Sequence, residues 1–332
     1  MKNTAIILII FAAMLIATPY IWTNFLSEKA SALVSFFGIN KEPPPEEKYA
    51  AGKDVLRLLV TQTGEVTEIS VEDYLTGCLF AQIPVSYHEE ALKAQAVAAH
   101  TYAQRLMLDN PGNPDSEKQY DLSDDRKTNQ PFFTEKQARD FYQGDYDVYL
   151  EKVRTAAAFG AQHSLSYAGE PIYAVYTSVS AGKTNTAADI WGKDFPYLTS
   201  VTSDWDGLYR NFTATNEMTV DELRVILLKY DESIKMPIEY KNWFSGLKTN
   251  ESGYVSSVKI GDRTFSGGDV WRILNLRSAA FEVNFDGINF VFRTKGYGHG
   301  VGLSQFGADY MANKGYEARE ILLYYFNNAE YN

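Results

Sequence analysis

The run from Glu89 to Leu108, "EEALKAQAVAAHTYAQRLML", constrains this chain more than any other stretch. Ala91, Leu92, Gln95, Ala98, Ala99 and Tyr102 recur at helical spacing, which predicts one long helix with a packing face made largely of alanine. Small side chains there let neighbouring elements pack closely. With 332 residues, 45% of them hydrophobic, the chain has ample material for a real core.

The elements around that helix mix both types. "VLRLLVTQTGEVTEISV" reads as two strands around a turn at Gly64, and "VEDYLTGCLF" as a short helix. Glu151 to Ala158 is helical in pattern, and "SLSYAGEPIYAVYTS" is a hairpin turning at Ala168-Gly169. Thr219 and Glu222 form a capping box that opens the helix "VDELRVILLKY". "FEVNFDGINFVFRT" is a second hairpin, flanking Asp286-Gly287, and Ala308 to Asn313 and Ala318 to Phe326 read as closing helices. No regular βαβ period joins them. The expected class is α+β, with largely antiparallel sheets and interleaved helices.

The amino terminus speaks of location. Thr4 to Trp22 carries no charge and, extended by "TNFL", is long enough for one membrane-spanning helix. Residues 1–27 are therefore read as a cytoplasmic tip and anchor; the alternative is a signal peptide cleaved after "ASA" at Ala30 to Ala32. Residues 28–54, with "KEPPPEEKYAAGKD", read as a stiff solvated tether, and 55–332 as one extracytoplasmic domain. A net charge of −11 argues against nucleic acid as partner. One cysteine, Cys78, rules out an internal disulfide and a thiolate metal cluster, and four histidines make a His-rich metal site a poor expectation.

Two polar clusters could carry chemistry. "KGYGHGVGLSQFGADYM" places Gly296, Gly298, Gly300, Gly302 and Gly307 among Tyr297, His299, Ser304 and Gln305. Glycines allow close backbone approach to a ligand, and no G-K-[ST] follows to make this a phosphate loop. A tight turn around a satisfied His is the competing reading. "YTSVSAGKTNTAADIWG" supplies Ser178, Ser180, Lys183 and Thr184 before Trp191, which suits a saccharide; an ordinary Ser/Thr loop with Trp191 in the core is the alternative.

Together with Gly77 to Tyr102, these segments resemble the family of stage II sporulation protein D and related amidase-enhancer domains. The family's G-[VC]-x-x-x-E-[MI]-P and E-A-L-K-A-Q-A-[VL]-A-A-R-T-Y appear as "GCLFAQIP" and "EALKAQAVAAHTY". Its S-x-S-G-G-[KR]-T, D-[VI]-W-G and G-[YW]-G-H-G-V-G-[ML]-S-Q-[YF]-G appear as "SVSAGKT", "DIWG" and "GYGHGVGLSQFG". The resemblance implies a membrane-anchored protein of the space between mother cell and forespore. It implies lytic transglycosylation of peptidoglycan strands already stripped of peptides, and stage II sporulation proteins M and P as partners. No cofactor is expected.

Three positions depart from the family pattern. Its acid/base Glu falls on Gln82, which keeps the shape and cannot deliver a proton at neutral pH. The zinc pattern C-D-D-P-x-H-C-Q falls on "SDDRKTNQ", with Ser123, Thr128 and Asn129 at ligand positions, so no zinc is expected. The Ser-rich loop carries Val179 and Ala181, preceded by Tyr176-Thr177. The expected site is a glycan groove holding Gln82 at the acid position, with Ser178, Ser180, Lys183, Thr184, Tyr297, His299, Ser304 and Gln305 toward substrate. Cleavage is expected to be weak or lost. The alternatives are cleavage by another carboxylate, with Asp73, Glu89 and Glu90 nearest in sequence, or a scaffold or amidase activator that cuts nothing.

Overall fold

The computed structural model describes residues 54–61, 63–109, 120–125 and 128–332. The expected anchor (1–27) and all but the last residue of the tether (28–54) lie outside them; among the described residues no helix is long and apolar enough to cross a membrane. From Val55 onward the chain divides into two units. One runs to Val175 and takes in Met311–Leu323 and Asn328–Asn332; the other is Tyr176–Tyr310 with Tyr324–Asn327.

In the first unit, β1 (Val55–Val60) and β2 (Glu65–Ser70) pair antiparallel, and Gly64 turns between them at φ 69°. Ser70 then caps α1 (Val71–Gln82), its Oγ accepting from the Asp73 amide at 3.0 Å. Pro84 sets the other end: it pushes Ile83 into an extended conformation (φ −131°, ψ 146°), so Gln82 is the last helical residue. The alanine-faced helix forms as expected, as α2 (Glu89–Asp109), with Ala91, Ala94, Ala96, Ala98 and Ala99 fully buried.

Two helices follow. α3 (Glu135–Tyr142) opens on a capping box between Thr134 and Gln137, and α4 (Asp145–Ala161) begins well before the Glu151 start that the sequence predicts. α2 and α4 approach closely where Gly160 faces Ala96. A Cβ at Gly160 would lie 2.5 Å from that of Ala96, far inside van der Waals contact. β3 (Leu122–Ser123) runs parallel to β1, and β4 (Leu165–Tyr167) turns through Ala168 and Gly169, both at positive φ, into β5 (Glu170–Pro171). That is the expected hairpin. The C-terminal strand Glu330–Tyr331 pairs with β4, Tyr331 opposite Leu165.

The second unit is built on two three-stranded antiparallel sheets. β6 (Tyr176–Thr177) and α5 (Ala187–Trp191) precede β7 (Thr213–Thr219) and α6 (Val220–Tyr230), whose Thr219–Glu222 capping box is present as expected. β8 (Phe244–Thr249), β9 (Val255–Ile260) and β10 (Arg263–Phe265) form one sheet, followed by α7 (Gly267–Ile273). β11 (Phe281–Phe285) and β12 (Asn289–Lys295) are the second expected hairpin, with β7 on the far side of β12. Leu223, Leu227, Trp243, Val258, Phe290 and Phe292 are central to one core, where Trp243 stacks on Phe290 at 5.3 Å. β13 (Leu303–Ser304) returns to run parallel to β6. The class is mixed α+β with largely antiparallel sheets.

Candidate functional site

Gln82 belongs to the first unit; Ser178, Ser180, Lys183, Thr184, Tyr297, His299, Ser304 and Gln305 belong to the second. At the end of α1 the half-buried Gln82 amide is held on both sides. Its Nε2 donates to the Pro131 carbonyl at 2.8 Å and to Gln130 Oε1 at 3.2 Å, while Gln95 Nε2 donates to its Oε1 at 3.1 Å. Gln130 is anchored in turn, donating to Tyr74 Oη at 3.1 Å and to the Ala99 carbonyl at 2.8 Å. Gln95 and Gln130 are buried. Lys152, from α4, donates to the carbonyls of Val85 and Tyr87 in the turn beyond Gln82.

The carboxylates nearest to Gln82 in sequence are each engaged with other partners. Asp73 accepts from Ser70 Oγ at 2.7 Å at the opposite end of α1, about 13 Å along the axis from Gln82. Glu89 pairs with Lys93 at 2.8 Å. Glu90 accepts from Lys93 at 2.8 Å and from the Ala318 amide at 2.9 Å. Burial alone would raise the Glu90 carboxyl, but those two hydrogen bonds and the Lys93 charge hold it below the usual carboxylate range. A group so held is a poor proton donor at neutral pH.

The residues that the resemblance aligns with zinc ligands do meet in space. Asn129 Nδ2 donates to Ser123 Oγ at 2.9 Å and to Thr128 Oγ1 at 3.1 Å. A closed set of two hydroxyls and an amide offers no thiolate or imidazole, so these donors do not fit zinc. Among the described residues no group of three or more His, Cys, Asp or Glu is placed to hold a metal ion.

In the second unit the Ser-rich loop and the Gly-rich run come together, as the sequence reading requires. Val179 and Tyr297 exchange backbone hydrogen bonds at 3.1 and 2.7 Å, Asn185 N donates to Gly300 O at 2.7 Å, and β13 pairs with β6. Gly298 and Gly300 show why glycine is required here. Both have positive φ (107° and 79°), and a Cβ would fall 2.4 Å from Thr177 Oγ1 and 2.1 Å from Tyr254 Oη respectively. Gly300→Ala is therefore expected to cost about 3 kcal/mol or more in thermal unfolding, through strain and collision together. Gly287→Ala, at φ 105° with open space around it, should cost only about 1–2 kcal/mol. Equal losses would remove the collision from the account.

His299 serves the turn. Its Nδ1 accepts from the Val301 amide at 3.0 Å and its ring bonds the Tyr176 backbone, which leaves Nε2 as the donor. Burial pushes its imidazolium down to about 4, so the ring is neutral at neutral pH. The half-buried Trp191 ring packs against it at 5.5 Å.

The hydroxyls expected to face sugar turn inward in three cases. Ser180, Thr184 and Ser304 are fully buried. Thr184 Oγ1 accepts from the Val201 amide at 2.8 Å, and Ser304 Oγ donates to Asp206 Oδ1 at 3.0 Å. These side chains shape the loops and do not present hydroxyls to a ligand. Tyr297 and Gln305 are buried too, Ser178 and His299 are half-buried, and Lys183 is exposed.

Asp206 is the residue that sequence reasoning missed. It is fully buried, accepts from the Ser180 amide at 2.8 Å and from Ser304 Oγ, and so joins the two loops through one carboxylate. Burial pushes its carboxyl up to about 6, against the hydrogen bonds of Ser180, Ser304 and Ser203. "SDWDG" matches no motif, and its partners Ser180 and Ser304 are distant in sequence, so no local signal marks it.

A family model described as stage II sporulation protein matches residues 60–167. The chain is 32% identical over 271 residues to stage II sporulation protein D of Bacillus amyloliquefaciens, covering 81% of this chain and 76% of that one. It is 31% identical over 271 residues to the protein of the same name from Bacillus subtilis (strain 168), with the same coverage. An amidase enhancer of Bacillus subtilis (strain 168) is 24% identical over 300 residues, covering 76% of this chain and 39% of that protein.

Proposed function

Since the chain belongs to the stage II sporulation protein D family, we propose that it binds and remodels peptidoglycan glycan strands during spore engulfment, with strand cleavage weak or lost. The observation that carries this is Gln82: an amide in the acid position, held by Gln95, Gln130 and Pro131. Lytic transglycosylation needs one group that protonates the glycosidic oxygen and then takes the proton of the muramyl 6-hydroxyl as that oxygen closes onto C1. An amide does neither.

Binding does not need that proton. Amide, hydroxyl and aromatic groups other than Gln82 suffice to hold a sugar. We place the domain outside the cytoplasmic membrane on an N-terminal anchor, with stage II sporulation proteins M and P as partners. The likeness to an amidase enhancer favours a second reading, in which the chain stimulates an amidase and cleaves nothing itself.

Co-sedimentation of the purified protein with peptide-free glycan strands tests the proposal. Strand binding without anhydro-muramyl ends is the expected result. Absence of binding, together with stimulation of amidase release of peptides, would favour the second reading instead.

A further inference from the structure

We infer that Gln130 is a positioning residue which, with the Pro131 carbonyl, makes position 82 a seat for a side chain that keeps its proton. The atoms involved are fixed by their partners. A backbone carbonyl only accepts, so the Gln82 atom 2.8 Å from the Pro131 oxygen is the amide nitrogen. The Ala99 carbonyl fixes Gln130 Nε2 in the same way and thereby turns Gln130 Oε1 toward Gln82. Tyr74 holds that orientation from the other side.

Two acceptor oxygens therefore face one side of residue 82. A carboxylate there sets a charged oxygen against both of them, where the nitrogen now stands. A carboxylic acid places a hydroxyl at the same point and donates to one of them. The Gln95 amide donates to the other oxygen and by itself favours the anion, one donor set against the two acceptors on the opposite side. Partial burial removes some of the water that would otherwise favour the anion. The neutral form matches the seat, and the Gln82 amide is its isostere.

The inference deepens the reading of position 82 as the acid position, and its test does not depend on activity. In Gln82→Glu, carbon-labelled at glutamate, the new carboxyl should titrate about one pH unit or more above the ordinary glutamate value of about 4.3. Adding Gln130→Met should bring the midpoint back by about half a pH unit or more. A midpoint at the ordinary glutamate value, or one indifferent to Gln130→Met, overturns the inference. Should the double variant fail to fold, the unaltered protein answers. The Gln82 side-chain amide protons should exchange at least about tenfold more slowly than those of exposed Gln162, and equal rates would overturn it. A raised midpoint without new anhydro-muramyl ends sinks the acid-position reading and leaves this one standing. New ends with an ordinary midpoint do the reverse.

Discussion

Gln82→Glu should release anhydro-muramyl ends from peptide-free glycan strands at least about tenfold faster than the unaltered protein, with a ceiling of ~10²–10⁴-fold. The change replaces an amide nitrogen by an oxygen in a frame that is already in place, so little else has to move. Strand affinity should change little, because the hydroxyl, amide and aromatic groups other than residue 82 are untouched by the change. Single-turnover product analysis separates the two quantities. If the unaltered protein is already as fast as the variant, position 82 is not the acid and another carboxylate carries the reaction. Asp73, Glu89 and Glu90 are poor candidates for that role, since each is already committed to a helix cap or to Lys93.

Asp206→Ala should destabilise the second unit by about 3 kcal/mol or more, since it strands the Ser180 amide and the Ser304 hydroxyl in a dry interior. Asp206→Asn asks a finer question. The carboxyl is raised to about 6 in the folded chain, so between its unfolded value and that point the native state holds the extra proton. The stability this confers is fully present below the unfolded value and is lost as pH rises through the folded one. From about pH 4 to about pH 7 the unaltered protein should lose about 2 kcal/mol relative to the Asn variant. Urea unfolding of both proteins across that range is the measurement. A constant difference would mean that Asp206 is not raised.

What could be read from the sequence was what is local. The alanine spacing of α2, the Thr219–Glu222 box and the Ala168-Gly169 turn each lie within one window, and each appears in place. Thr134 and Gln137 carried the same kind of signal for α3, and it went unread. The sheet of β8, β9 and β10 was harder, because register shifts between Ser245 and Lys248 and between Lys248 and Thr249 break the strand alternation.

The pairing of the Ser-rich and Gly-rich loops was legible, and the orientation of their side chains was not. The motifs named the Ser-rich and Gly-rich loops correctly as neighbours. They could not say that Ser180 and Ser304 turn toward Asp206, because burial of a hydroxyl depends on partners far away in the chain. The frame around Gln82 was hidden for the same reason. Gln95 lies one turn-and-helix away, and Gln130 and Pro131 lie beyond the whole of α2.

Residues 311–332 alternate between the two units. Met311–Leu323 and Asn328–Asn332 belong to the first unit, and Tyr324–Asn327 to the second. The Tyr325 hydroxyl bonds Ser203 at 2.8 Å in the second unit, and Glu330–Tyr331 completes the β4 sheet of the first. Each unit therefore draws part of itself from chain that lies beyond the other's main segment. Neither can make these contacts until residues 325 and 331 have joined the segments that precede them.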